Sequence, residues 1–125
     1  MMSKKESRED YLEAILVLER KNKRVISIDI ANELSFSKPS VSIAMKKLKD
    51  EGLITVDDDG TIHLTKKGRM IAEKTLEKHE FLTDFFIYLG VDPLLAEDEA
   101  CSIEHSLGDE TFEKFRQFVM KARKE

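Results

Sequence analysis

Residues 57–60, Asp57-Asp58-Asp59-Gly60, separate two β-rich runs, Gly52-Leu53-Ile54-Thr55-Val56 and Thr61-Ile62-His63-Leu64-Thr65. An Asp-Gly pair between such runs is a strong hairpin signal, because glycine supplies the positive φ that a tight turn needs. The segments before this hairpin read as three helices. Three helices followed by a hairpin predict a winged helix-turn-helix, so the chain is expected to be mainly α with one small β-hairpin. His63 then reads as an exposed strand residue with no ligand role.

The first helix is predicted from Ser7 to about residue 22. Ser7 is a candidate N-cap, and Glu9 and Asp10 fall in the first turn, where the helix dipole favours negative charge. Tyr11, Leu12, Ile15, Leu16 and Leu18 form the apolar arc. Asp10 and Glu13, at i and i+3, lie beside that arc and are expected to be half-buried. Ordinary helix-start acids on the surface would look the same. A polar break at Lys21-Asn22-Lys23-Arg24 leads to a second helix over 27–35, started by Ser27 or Asp29, with Ile30, Ala31 and Leu34 inward.

A third helix starts at Ser37-Lys38-Pro39-Ser40 and runs to about Glu51. Ser37 can cap it, and Pro39 is tolerated in a first turn because its missing N–H had no helical partner. Val41, Ala44, Met45 and Leu48 make the core stripe. The opposite face carries Ser37, Lys38, Pro39, Ser40, Ser42, Ile43, Lys46 and Lys47. On the second helix of a helix-turn-helix, lysines and serines suit phosphates, while Pro39 and Ile43 suit thymine methyls. A solvated basic helix would carry much the same face, although an exposed Ile43 has no packing reason. The acidic wing tip should not lie hard against phosphate.

A long helix is predicted from Lys66 to about Gly90, with Ile71, Ala72, Leu76, Leu82, Phe86 and Leu89 as its apolar stripe. Lys66, Lys67 and Arg69 at its start are candidates for further backbone contacts. His79 falls in the middle of the stripe, where a histidine is more often a satisfied core residue than a ligand. Phe81 and Phe85 at the stripe's edge call for packing on the next helix or on a second subunit. Gly90-Val91-Asp92-Pro93 breaks the chain. The next helix is expected over 93–107, with Ala96, Ala100, Ile103 and Leu107 on its packing face. Cys101, Glu104 and His105, at i, i+3 and i+4, share another face. A thiol, a carboxylate and an imidazole together suit a first-row transition metal better than calcium or magnesium. Gly108-Asp109 ends that helix and opens a last one over 110–123, with Phe112, Phe115, Phe118 and Val119 apolar.

Composition sets limits on function. The chain has 125 residues and a formal net charge of −4, unexpected for a nucleic-acid binder. The charge is uneven, with 15 Lys and Arg against 13 Asp and Glu up to residue 75, and 6 against 12 beyond it. A slightly basic first half and an acidic second half suggest two tasks, although solvated surfaces show similar imbalance. No apolar run is long enough to span a membrane, the N-terminus is polar, and a single cysteine excludes an internal disulfide, so a cytoplasmic protein is expected. The division expected is a winged helix-turn-helix over 1–66 and a helical domain carrying the candidate metal ligands over 67–125, the latter serving dimerisation if the resemblance described next holds.

Several stretches together resemble one family. They are Glu9-Asp10-Tyr11-Leu12-Glu13-Ala14-Ile15, Asp29-Ile30-Ala31, Ser37-Lys38-Pro39-Ser40-Val41-Ser42, Leu48, Glu51-Gly52-Leu53, Leu64-Thr65, Gly68, Lys78-His79 and Ala100-Cys101-Ser102-Ile103-Glu104-His105. The pattern resembles the iron- and manganese-dependent repressors typified by the diphtheria toxin repressor and the manganese transport regulator. The resemblance implies a homodimer that binds a palindromic double-stranded operator when loaded with a divalent metal, and so controls metal homeostasis genes. It implies Asp10, Glu13, His79, Cys101, Glu104 and His105 as metal ligands. It also implies base-edge contacts by Ser37 and Pro39 and phosphate contacts by Ser40 and Ser42. Asp10 with Glu13 is similar to the manganese type, and Cys101 to the iron type; manganese or iron is expected, with cobalt and zinc compatible. The iron type has a second site, but Thr83 and Glu97 stand where its carboxylate and later histidine would be; Glu80, Asp84 or Glu97 are the candidate substitutes. The chain stops where longer members continue into a barrel-like, SH3-like domain, so none is expected.

Other readings compete. Cys101 could serve a thiol switch in a winged-helix regulator of redox or organic ligands, but that leaves five further residues at ligand spacing without a role. A small metallohydrolase would need a substrate-sized pocket and a general base, for which little chain remains. Metal storage would not require the Ser37–Lys47 surface. The expectation is therefore a metal-dependent repressor, not an enzyme, with no membrane partner and no small organic substrate.

Overall fold

Short local signals set the element boundaries. The structure, a computed structural model, describes residues 8–21 and 24–124. Three helices come first: α1 (Arg8–Lys21), α2 (Ser27–Leu34) and α3 (Lys38–Asp50). Then come strands β1 (Ile54–Val56) and β2 (Ile62–Leu64), and helices α4 (Lys66–Tyr88), α5 (Pro93–Ile103) and α6 (Asp109–Lys124), with a 3₁₀ turn (Glu104–Ser106) between the last two. Ser7, the expected cap of α1, lies outside the described residues. The chain divides into two compact units, and the division falls within α4, after Thr75. No helix among the described residues is long and apolar enough to cross a membrane.

In the N-terminal unit the caps follow from side-chain chemistry. At the start of α2, the Asp29 carboxylate accepts from Ile26 N–H at 3.0 Å, so Ile26 caps the helix through its backbone although its side chain cannot. Ser35 ends α2 in the left-handed region, at φ 59°. Ser37 Oγ then accepts from Ser40 N–H at 3.2 Å, which caps α3 with Pro39 in its first turn. β1 and β2 pair antiparallel, Ile54 opposite Leu64 and Val56 opposite Ile62. The turn closes with Gly60 N–H donating to Asp57 O at 2.9 Å, and Gly60 has φ +90°, the conformation its lack of Cβ permits.

Leu12, Ile15, Val25, Ile30, Val41, Leu53, Ile54 and Ile62 are fully buried and form this unit's core. Each such side chain contributes about 1.5–3 kcal/mol on burial. Tyr11 stacks edge-on against Phe36, with centroids 5.7 Å apart, which fixes α1 to the α2–α3 turn. Ile62 N–H donates to Val25 O at 2.8 Å and so anchors the wing. The start of α4 passes so close to the segment between α3 and β1 that a Cβ at Gly68 would run into the Leu53 carbonyl.

The C-terminal unit packs by aromatic edges. Phe81 meets Phe112 at 5.6 Å and Phe115 at 5.8 Å, and Phe85 meets Phe115 at 5.4 Å, all near perpendicular. These rings join α4 to α6. Arg123 lies 2.9 Å from Asp84 and 4.2 Å above the Tyr88 ring, a second clasp between the same helices. Gly90, at φ +103°, ends α4, and Asp92 caps α5 by accepting from Leu94 N–H at 3.1 Å.

Three expectations need correction here. The helix expected over 93–107 is α-helical only to Ile103 and tightens to 3₁₀ at Glu104–Ser106. Tightening the last turn is one way a helix satisfies its final carbonyls. α4 stops at Tyr88, leaving Leu89 exposed outside its stripe. Ile103 and Phe118, expected on packing faces, are 37% and 72% exposed, because Ala96, Ala100, Phe112 and Val119 already fill the inward positions.

Candidate metal centre and nucleic-acid interface

Three helical elements of the C-terminal unit, α4, α5 and the 3₁₀ turn, bring donors together. Glu104, at the start of the 3₁₀ turn, is 1% exposed. Its Oε2 lies 3.0 Å from Nδ1 of His79, in the middle of α4. Its Oε1 lies 3.4 Å from Nε2 of His105, the next residue. Oε1 nonetheless accepts no hydrogen bond, although it is fully buried. Cys101 stands one turn earlier on α5, half-buried, with its sulfur within 4.8 Å of a Glu104 oxygen.

A buried carboxylate is costly unless it is paired and its lone pairs are used. Glu104 has two imidazoles and a thiol beside it and one oxygen left over. That donor set suits a divalent transition ion, with sulfur, nitrogen and oxygen all represented. Asp10 and Glu13 lie on α1 in the N-terminal unit, Asp10 buried and Glu13 half-buried. The structure therefore groups His79, Cys101, Glu104 and His105 within one unit and places Asp10 and Glu13 on the first helix of the other.

The remaining acids of the region stand apart from this group. Asp84 is occupied by Arg123. Glu80 and Glu97 are exposed, and the Thr83 hydroxyl is buried without a hydrogen-bond partner. Sequence reasoning gave no role to Lys78, whose Nζ donates to Leu107 O at 2.7 Å, just beyond the 3₁₀ turn. The contact depends on tertiary packing, and only the adjacency of Lys78 to His79 could have pointed to it.

The α3 surface takes shape from its cap. Ser37 and Ser40 are engaged with each other, their hydroxyl oxygens 3.0 Å apart. Lys38, Pro39, Ser42, Lys46 and Lys47 are exposed, and Ile43 is 71% exposed. Val41, Met45 and Leu48 are buried on the other side, so the polar face with its single aliphatic residue points outward.

The wing ties up its own charges. Arg24 donates to Thr61 Oγ1 at 2.8 Å and to the Asp59 carbonyl at 2.9 Å. Hydrogen bonds from Thr61, first its backbone N–H and then its hydroxyl, together with the Arg24 charge, hold the Asp59 carboxyl below its ordinary value. His63 is exposed, with Nε2 2.8 Å from Asp57 Oδ2.

Comparison with known proteins covers almost the whole chain. Residues 4–62 match the family described as iron dependent repressor, N-terminal DNA binding domain. Residues 65–125 match its companion, iron dependent repressor, metal binding and dimerisation domain. The transcriptional regulator MntR of Escherichia coli O157:H7 is 34% identical over 113 residues, spanning 90% of this chain and 73% of that protein. An uncharacterised HTH-type transcriptional regulator of Methanocaldococcus jannaschii is 36% identical over 118 residues, spanning 93% and 94%. The structure of the manganese regulator SloR superposes with a TM-score of 0.82 at 31% identity, spanning 94% of this chain. This chain spans about half, 54%, of the SloR chain.

Proposed function

The chain belongs to the iron-dependent repressor family of metal-dependent transcriptional regulators, which are not enzymes, and we propose that it binds a palindromic operator as a homodimer when loaded with manganese or iron. Cobalt and zinc are compatible with the same donors. The ligands are His79, Cys101, Glu104 and His105, joined by Asp10 and Glu13, which stand at the matching positions of the family pattern. The observation that carries this reading is the buried Glu104 carboxylate, set between two imidazoles with one oxygen accepting no hydrogen bond.

The bound ion supplies positive charge and directed bonds to carboxylates that are otherwise costly to bury. Glu104 and His105 present their donors from one short turn, and His79 meets that turn from α4. Asp10 and Glu13, on α1 of the DNA-binding unit, are assigned as ligands on the family pattern alone. DNA affinity is thereby linked to metal, by as much as the ion's differential affinity for the DNA-competent arrangement. Ser37, Pro39 and Ile43 read base edges, and Lys38, Ser40, Ser42, Lys46 and Lys47 meet phosphates. A dimer places two such helices on half-sites about one DNA turn apart, hence the palindrome. The exposed Leu94, Leu95, Phe118 and Met120 support self-association of the C-terminal unit. The regulated genes are those of metal homeostasis, and the protein acts in the cytoplasm.

The test is a titration of chelator-stripped protein onto a labelled palindrome from its own upstream region, with and without Mn²⁺, Fe²⁺, Co²⁺ or Zn²⁺. Salt is held fixed, because phosphate contacts make affinity salt-dependent. Tight binding only with metal is expected, and the series ranks the metals. Equal binding without metal would overturn the sensor reading.

A further inference from the structure

The Leu107 carbonyl sits just past the turn that carries Glu104 and His105, where a helix leaves its last carbonyls without intrahelical partners. Lys78 fills that need from α4, donating to Leu107 O at 2.7 Å. Its ammonium also lies 3.2 Å from Asp109 at the start of α6, and the side chain is only 15% exposed. The same group sits 5.9 Å from the Phe112 ring centroid. Lysines are rarely so buried unless paired, and this one joins α4, the turn and α6.

We propose that Lys78 is a positioning residue for the metal ligands of the Glu104–Ser106 turn. The inference rests on the metal reading given above. Consecutive residues of α4 hold both ends of the turn: His79 meets the Glu104 side chain, and Lys78 holds the Leu107 carbonyl. A 3₁₀ turn has poorer internal hydrogen bonds than an α-helix, so its shape depends more on such outside anchors. With the anchor in place, Glu104 and His105 are set before the ion arrives. Without it, part of the binding energy is spent ordering them.

The test compares wild type, Lys78→Met and Lys78→Arg as full chains. Lys78→Met keeps the aliphatic stem and removes the donor; Lys78→Arg keeps a donor and the charge. Mn²⁺ affinity is measured by calorimetry, apoprotein melting by circular dichroism, and amide exchange at residues 104–107 by mass spectrometry. Lys78→Met should bind Mn²⁺ about 10- to 100-fold more weakly, the range usual for residues that orient metal ligands. Its amides at 104–107 should exchange faster, and Lys78→Arg should recover most of both effects. A Lys78→Met protein that melts earlier yet binds Mn²⁺ as wild type does would overturn the proposal and leave Lys78 as α4–α6 packing. Wild type that binds no metal would overturn the metal reading, and this proposal with it. Should Lys78→Met fail to fold, Lys78→Gln takes its place, with the same expected loss and the same overturning result.

Discussion

Among the described residues, eight of the ten largest fully buried side chains lie in the N-terminal unit, whereas eight of the ten large apolar residues left exposed lie in the C-terminal unit. The N-terminal unit closes on its own contacts. Its wing, its caps and the Tyr11–Phe36 pair are satisfied internally, and what faces outward is the polar side of α3. The C-terminal unit instead keeps an unbonded oxygen on a buried carboxylate and an apolar surface without cover. The contrast suggests a division of labour. The matched DNA-binding domain is the part that closes on itself, and the matched metal-binding and dimerisation domain is the part left with an unbonded donor and open apolar surface.

That contrast can be broken by substitution. Ile30→Ala in the N-terminal core should cost about 2–5 kcal/mol, seen as a lower urea midpoint. A loss below about 0.5 kcal/mol would mean that this core is not the rigid part. Glu104→Gln should behave oppositely. It should weaken Mn²⁺ binding by more than about 100-fold, beyond the usual effect of a residue behind the ligands. Its apoprotein should melt at the same temperature as wild type or higher, since an incompletely bonded buried carboxylate is a cost in the absence of the ion. A less stable apoprotein would make Glu104 a structural residue. Ser37→Ala removes the α3 cap and should cost about 1 kcal/mol, readable by thermal melting. Phe118→Ser comes last, because an exposed side chain should change monomer stability by less than about 0.5 kcal/mol. Its effect should appear in sedimentation as weaker self-association, and unchanged association would place the dimer surface elsewhere.

The legible parts of the fold are those with local signals. Ser37 with Pro39 marks the start of α3, and Asp-Gly marks the wing, because each acts on its own backbone within a few residues. The candidate site was legible through residue type, since Cys101, His105 and His79 are few and distinctive donors and Glu104 stands beside two of them. The 3₁₀ tightening at Glu104 was not. A spacing of three and four residues keeps donors near one another in either helix type, so the pattern cannot tell them apart. The exposure of Ile103 and Phe118 was also hidden, because periodicity identifies apolar faces without saying which find cover in one copy of the chain. Ile26 caps α2 through an Asp29 bond that no apolar residue advertises. The Lys78 contact depends on two segments far apart in sequence.

The charges of the wing bear on how affinity responds to ionic strength. With Arg24 folded back on Asp59 and Thr61, and Asp57 and Asp58 at the tip, the hairpin has little positive charge to offer the backbone. Each phosphate a protein neutralises releases condensed counterions and steepens the decline of log affinity with log salt by about 0.9. A protein that leaves its wing out of that exchange has a shallower decline. On the function proposed above, its hold on an operator then depends more on the fit of α3 in the groove than on the ions around it.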